Sequence, residues 1–213
     1  MKLKDTDKIK ALLNKPKNIV IVTHRSPDGD AMGSSLGLYN YLIKKRHKVS
    51  VITPNDYPSF LHWLPENKKV TDNKKDSKLA KTKIEKADLI FCLDFNDLKR
   101  IDELGSLVEK SKAKKFIVDH HQQPKDFADF LVHDTQTSST CELIYEFIEQ
   151  LGDKKRIDKK IATCLYTGIM TDTGSFSFSS DSCFTYILLA LMSGSFNFSG
   201  LGTFSDDFLL EHD

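Results

Sequence analysis

The sequence is short of the features that announce most specialised folds. Its four cysteines, Cys92, Cys141, Cys164 and Cys183, stand far apart among apolar neighbours with no Cys-x-x-Cys pair. That pattern favours buried free thiols over a disulfide framework or a structural zinc site. Charge of neither sign is in excess: 31 basic residues stand against 30 acidic ones, a net charge of +1, so bulk electrostatics selects no partner. There is no long apolar run; residues 183–192 are strongly apolar but too short and interrupted for a membrane span, and read as a core helix. The first ten residues are charged from the start, without the apolar stretch and small-residue cleavage site of a secretory signal. The expectation is therefore a cytoplasmic protein with no membrane partner. Gly29, Gly33 and Gly37 imitate a phosphate loop, but no Gly-Lys-Ser/Thr follows them, so they read as tight-turn and packing residues. The single tryptophan, Trp63, lies between Phe60 and Leu64 and reads as core. No internal repeat is present.

What is there suits one sizeable soluble domain: 213 residues, 39% hydrophobic and 29% charged. Residues 5–14 read as a short helix, with Pro16 just beyond it. Residues 18–23 form a continuous β-branched run, as expected of a strand buried on both faces. A turn rich in Pro, Asp and Gly at 24–30 leads into a helix at 31–46, where Met32, Leu36, Tyr39, Leu42 and Ile43 recur at helical spacing. Further strands are expected at 48–53, 88–93 and 115–118, with an edge strand at 130–133. Helices are expected at 99–111, 138–151 and 158–170, with Thr137 or Ser138 capping the second. The stretch 68–86 is dominated by lysines and reads as a solvated face. Alternating strands and helices over the first 135 residues predict an α/β fold, a doubly wound and mainly parallel sheet flanked by helices. The domain is expected over 1–180. Residues 181–213 read as an atypical segment, a truncated helix and linker, with a tail rich in Ser, Gly and Phe at 193–208.

Open α/β sheets bind ligands outside the carboxyl ends of their strands. His24, Asp28 and Asp30 follow the first strand, Asp94 ends the third, Asp119, His120 and His121 end the fourth, and Asp172 closes a helix able to reach the same edge. That is more acid and histidine than packing requires. Mixed carboxylate and imidazole donors suit Mn²⁺, Fe²⁺, Co²⁺ or Zn²⁺ better than Ca²⁺. Six or more ligands exceed one ion's usual share, whereas two ions about 3.5–4 Å apart, sharing a carboxylate, would use them all in displacement at phosphorus. Each motif has a plainer reading in isolation. Asp28 and Asp30 alone would be capping and solvating residues, Asp94 a helix cap, Asp172 a C-terminal turn residue and His120-His121 a surface pair. His47, His62 and His133 read as ordinary.

Four segments together resemble the motifs of the DHH phosphoesterases, in the right order: residues 24–34 (His-Arg-Ser-Pro-Asp-Gly-Asp-Ala-Met-Gly-Ser), Leu93-Asp94, Asp119-His120-His121 and residues 171–176 (Thr-Asp-Thr-Gly-Ser-Phe). Ser138-Ser139-Thr140 ahead of Glu142 is similar to the branch of small oligoribonucleases that also act as phosphatases of 3′-phosphoadenosine 5′-phosphate. Position by position, the resemblance implies His24, Asp28 and Asp94 on one Mn²⁺, and Asp30, Asp94, His120 and Asp172 on a second, with Asp94 bridging. Water activated by the two ions would attack phosphorus. The resemblance further implies His121 facing the scissile phosphate, Arg25 as a second phosphate contact, Asp119 orienting a histidine, and Ser138 and Ser139 at the substrate. It implies short RNA oligonucleotides or nucleotide phosphates as partners; a homodimer is left open. Members of that branch carry a C-terminal domain with a Gly-rich motif ending in His. Nothing between residues 180 and 213 resembles it, so the expectation is a complete metal centre beside a half-built substrate cleft. Alternative readings are an inorganic pyrophosphatase, a cyclic dinucleotide phosphodiesterase, and a metal- and nucleotide-binding fragment without turnover.

Overall fold

All five runs expected as strands form, and a sixth joins them. In this computed structural model the structure describes residues 5–174. The strands are β1 (Asn18–Thr23), β2 (Lys48–Thr53), β3 (Val70–Asp72), β4 (Leu89–Leu93), β5 (Lys114–Asp119) and β6 (Phe130–His133). They make one sheet in the order β3-β2-β1-β4-β5-β6, and every neighbouring pair is parallel. Ile21 lies between Val51 and Phe91, Leu93 opposite Val118, and Asp119 opposite His133. The chain winds outward from β1 through β2 and β3 on one side, and through β4, β5 and β6 on the other. The crevice at the carboxyl ends of β1 and β4 is the topological switch point, where doubly wound sheets place their ligands.

Because strand side chains alternate, the sheet builds two cores. Ile19, Ile21, Phe91, Leu93, Phe116 and Val118 face one layer of helices, made of α1 (Thr6–Leu13), α2 (Gly29–Lys44), α5 (Thr140–Gln150) and α6 (Lys159–Asp172). Within it the rings of Phe91 and Phe116 stack with centroids 4.4 Å apart, and those of Phe116 and Phe130 4.5 Å apart. Val20, Val22, Ile90, Cys92 and Ile117 face the other layer, made of α3 (Ser77–Glu85) and α4 (Leu104–Lys110). The α2 glycines are packing residues, as expected: a Cβ on Gly33 would lie 2.5 Å from the Cys164 carbonyl oxygen, and one on Gly37 2.7 Å from Leu165 Cδ2. Only a bare backbone lets α2 lie so close to α6.

Three local expectations are corrected, and a fourth, the solvated lysine face, holds but also carries two elements. The lysine stretch 68–86 holds β3 and α3, whose Ala80 and Ile84 are buried while Lys74, Lys75, Lys78, Lys81 and Lys86 stay exposed; an (i, i+4) apolar pair was too small a stripe to stand out. The helix expected at 99–111 is a 3-10 turn, Leu98–Ile101, followed by α4, because Asp102 adopts φ 49° and ψ −129° and breaks the run. Trp63 is 45% exposed, so it is a surface residue. The cap of α5 is Ser139, one residue beyond the expected pair. The segments at 183–192 and 193–208, and the boundary at 180, lie outside the described residues. Among the described residues no helix is long and apolar enough to cross a membrane.

Candidate metal centre

Three strand ends and two helix ends converge at the switch point. His24 follows β1, Asp94 follows β4, Asp119 ends β5 with His120 and His121 next, Asp28 and Asp30 open α2, and Asp172 closes α6. Asp94 is 2% exposed and sits at φ 63°, a left-handed conformation that Asp tolerates better than most residues. Its own N–H donates to the Val118 carbonyl at 3.1 Å, so the turn holding it is tied to β5. The loop after β1 is fixed likewise: Arg25 N–H donates to the Arg100 carbonyl at 2.8 Å, and Ser26 N–H to Asn55 Oδ1 at 2.7 Å.

The histidines are oriented as metal ligands need to be. His24 Nδ1 lies 2.8 Å from the Arg25 carbonyl oxygen, and His120 Nδ1 3.4 Å from that of Thr137. A carbonyl only accepts, so each Nδ1 carries a proton and each Nε2 is the nitrogen turned toward the carboxylates, where a cation would take the place of the proton that His24 shares with Asp94. His24 Nε2 faces Asp94 Oδ2 at 3.3 Å and Asp28 Oδ2 at 3.8 Å. His120 Nε2 faces Asp172 Oδ2 at 3.3 Å, Asp94 Oδ1 at 3.8 Å and Asp30 Oδ2 at 4.0 Å. Three overlapping groups result, each with donor atoms within 4.8 Å of one another: His24, Asp28 and Asp94; Asp94, His120 and His121; Asp30, His120 and Asp172. Asp94 belongs to two of them and offers a different oxygen to the histidines on either side.

The electrostatics describe a site short of positive charge. Burial, then repulsion from Asp94 and Asp172, pushes Asp30 well above the usual carboxylate range. Burial, then Asp94 and Asp28, raises Asp172 to about 7. Asp94 is also penalised by burial, but its hydrogen bond to His24 and the charges of His24, His121 and His120 leave it below the ordinary value. His24 loses proton affinity to burial and regains more from Asp94, ending above normal. Crowded carboxylates with imidazole nitrogens aimed among them fit divalent cations that accept mixed oxygen and nitrogen donors.

His121 is set apart from the other histidines. Its Nδ1 is 2.8 Å from Asp119 Oδ1, its N–H donates to Asp119 Oδ2 at 3.1 Å, and Asp119 is fully buried. That hydrogen bond raises the proton affinity of the ring and leaves Nε2 as the ring nitrogen not held by Asp119. Of the expected substrate contacts, Arg25 is exposed, its Nη1 3.5 Å from Asp102 Oδ1. Ser138 Oγ donates to Glu142 Oε2 at 2.8 Å at the approach to α5. Ser139 is fully buried, and its hydroxyl accepts the Glu142 N–H at 3.1 Å as the cap of α5.

Three residues near the centre take roles that sequence reasoning did not assign. Asn96 Nδ2 donates to the His121 and Gln122 carbonyls at 3.2 and 2.9 Å, and His133 Nε2 donates to the His121 carbonyl at 2.6 Å. Together they clamp the turn that carries both histidines. Thr140, the third, donates its hydroxyl to Asp94 Oδ1 at 2.9 Å. The signal that could have found His133 is strand register, since β6 pairing sets it directly beside Asp119.

Fold and site together define a doubly wound domain with a carboxylate and histidine cluster at its switch point. The model of the DHH family, N-terminal domain, matches residues 18–169, and the chain belongs to that family. It is 34% identical over 164 residues to the bifunctional oligoribonuclease and PAP phosphatase NrnA of Bacillus subtilis, covering 75% of this chain and 47% of that one. To a probable protein of the same name from Streptococcus mutans it is 31% identical over 192 residues, covering 89% and 57%. The crystal structure of an exopolyphosphatase-related protein from Bacteroides fragilis superposes with a TM-score of 0.86 at 41% identity, over 89% of this chain and 56% of the other. The chain spans about half the length of the curated relatives it matches.

Proposed function

We propose that this chain carries the metal centre of a phosphoesterase that hydrolyses short oligoribonucleotides and 3′-phosphoadenosine 5′-phosphate, with two Mn²⁺ ions in the site. The observation that carries the reading is the placement of Asp94: one carboxylate, nearly buried, with Oδ2 toward His24 and Oδ1 toward His120 and His121. His24, Asp28 and Asp94 would hold one ion, and Asp30, Asp94, His120 and Asp172 the other. When bound, the pair supplies Lewis acidity toward phosphoryl oxygens and lowers the pKa of water. The names of the relatives favour oligoribonucleotides and nucleotide phosphates as substrates.

The chain's own residues supply positioning and a proton. His24 and His120 are locked in the tautomer that presents Nε2 to the cluster. Asp119 holds His121 by Nδ1, so that Nε2 is the nitrogen left to meet a phosphate oxygen; its raised proton affinity suits a donor to the departing oxygen. Asn96 and His133 keep the 120–122 turn from moving. Arg25 meets a phosphate only by leaving Asp102, and at an exposed pair that exchange costs little.

The test is product release from a labelled dinucleotide, from 3′-phosphoadenosine 5′-phosphate, from pyrophosphate and from a cyclic dinucleotide, each with Mn²⁺ and beside Asp94→Ala. Mononucleotide from the dinucleotide, absent in Asp94→Ala, is expected. Equal rates in the two proteins would end the metal-centre reading, and release from pyrophosphate alone would replace the substrate. Single-turnover hydrolysis with protein in excess separates slow catalysis from a binding module without turnover.

A further inference from the structure

The first turn of α5 touches two of the carboxylates at the centre, and one residue touches both. A helix begins with backbone N–H groups that have no partner inside it. Here Glu142 N–H is satisfied by the Ser139 cap, while Thr140 N–H donates to Asp30 Oδ2 at 2.6 Å and Cys141 N–H to Asp30 Oδ1 at 2.9 Å. The Thr140 hydroxyl turns the other way and donates to Asp94 Oδ1 at 2.9 Å. Asp30 opens α2 and Asp94 follows β4, so a single residue joins two carboxylates that are remote in sequence. Thr140 is fully buried, which removes substrate or solvent contact as the reason for its hydroxyl.

We infer that Thr140 is a positioning residue that fixes the rotation of the Asp94 carboxylate, so that one oxygen serves each metal position. This rests on the two-ion reading above. The bonded oxygen, Oδ1, is the one 3.8 Å from both His120 Nε2 and His121 Nδ1, and the other, Oδ2, lies 3.3 Å from His24 Nε2. The strand and the left-handed turn fix where Asp94 stands, but a carboxylate at the end of its side chain still rotates about its last bond. A donor on one oxygen selects one rotation and leaves that oxygen a second lone pair for a cation. A threonine kept only to fill space would need its methyl group and not its hydroxyl.

The experiment is Mn²⁺ titration by calorimetry of the full chain, wild type beside Thr140→Val and Thr140→Ser, with thermal melts of each protein free of metal. Thr140→Val is expected to bind Mn²⁺ about 10- to 100-fold more weakly, the usual loss when a residue that orients a ligand is removed. Its metal-free melting temperature should stay near that of wild type. Thr140→Ser, which keeps the hydroxyl, should recover most of the affinity. Should Thr140→Val not fold, Thr140→Ala beside Thr140→Ser makes the same comparison. Wild-type affinity in Thr140→Val, or a Thr140→Ser as weak as the valine variant, overturns the inference and leaves the metal centre standing. A wild type that binds no Mn²⁺ overturns the centre and the inference together.

Discussion

On one face of the sheet α2 and α6 approach until backbone nearly meets backbone; on the other, α3 and α4 lie on ordinary apolar side chains. The close face has no room for a Cβ at Gly33, where it would meet Cys164 O and Gly168 N. It also delivers Asp28, Asp30, Thr140 and Asp172 to the centre. The other face packs Ala80, Ile84, Leu104 and Val108 beneath an exposed row of lysines, and its helices contribute no residue to the metal groups. Both faces bury apolar surface well. The difference is tolerance: a carboxylate that is to share a cation, as proposed for Asp94, would have to be held to within a fraction of an ångström, and tight interlocking of two helices suits that demand.

Substitutions on the two faces should therefore separate stability from metal binding. The largest stability loss is expected from Ile84→Ala on the α3 face, about 2–5 kcal/mol for a buried large-to-small change, with Mn²⁺ affinity of the folded protein unchanged; denaturant melts and calorimetry read the two effects. Gly33→Ala should cost less stability, about 1–3 kcal/mol of overpacking, yet weaken Mn²⁺ binding, because the clash is with the backbone of the helix that carries Asp172. If Gly33→Ala destabilises without touching affinity, close packing is not what positions the carboxylates.

Asp172→Asn should have the opposite sign. Burial and its acidic neighbours raise Asp172 from 3.8 to about 7, so between those pH values the folded chain holds a proton that the unfolded chain has released. Stability of the metal-free protein must then fall as pH rises through that window. Removing the charge should raise the melting temperature at pH 8 in chelator by about 2–4 °C, the shift that about 1 kcal/mol gives in a domain of this size. In saturating Mn²⁺ the order should reverse, wild type melting above the variant. Smallest of all is Lys78→Glu on the outer face of α3, within about 0.5 kcal/mol of wild type and without effect on Mn²⁺ affinity.

Strands β1, β4 and β5 and the acid and histidine at their ends were legible because a parallel sheet buried on both faces writes itself as unbroken apolar runs. β3 and α3 were not, since three residues and one (i, i+4) pair carry too little periodicity against a background of lysine. Trp63 was misread because flanking Phe60 and Leu64 say nothing about which way a loop residue turns. The proposed ligand set could be assembled from motif order, but its supports could not. Thr140, Asn96 and His133 act through a helix end, a turn and an edge strand that come together only once the sheet order is known, and a serine or threonine before a helix signals a cap and no more. Ser139 is such a cap, fully buried at the start of α5.

The shared carboxylate is tested most directly by counting bound Mn²⁺ at equilibrium dialysis in wild type and Asp94→Ala, with circular dichroism to establish that both are folded. Two ions per wild-type chain are expected, and loss of tight binding at both positions in the variant. A wild type that holds one ion or none, or an Asp94→Ala that retains both, would contradict a centre built around Asp94.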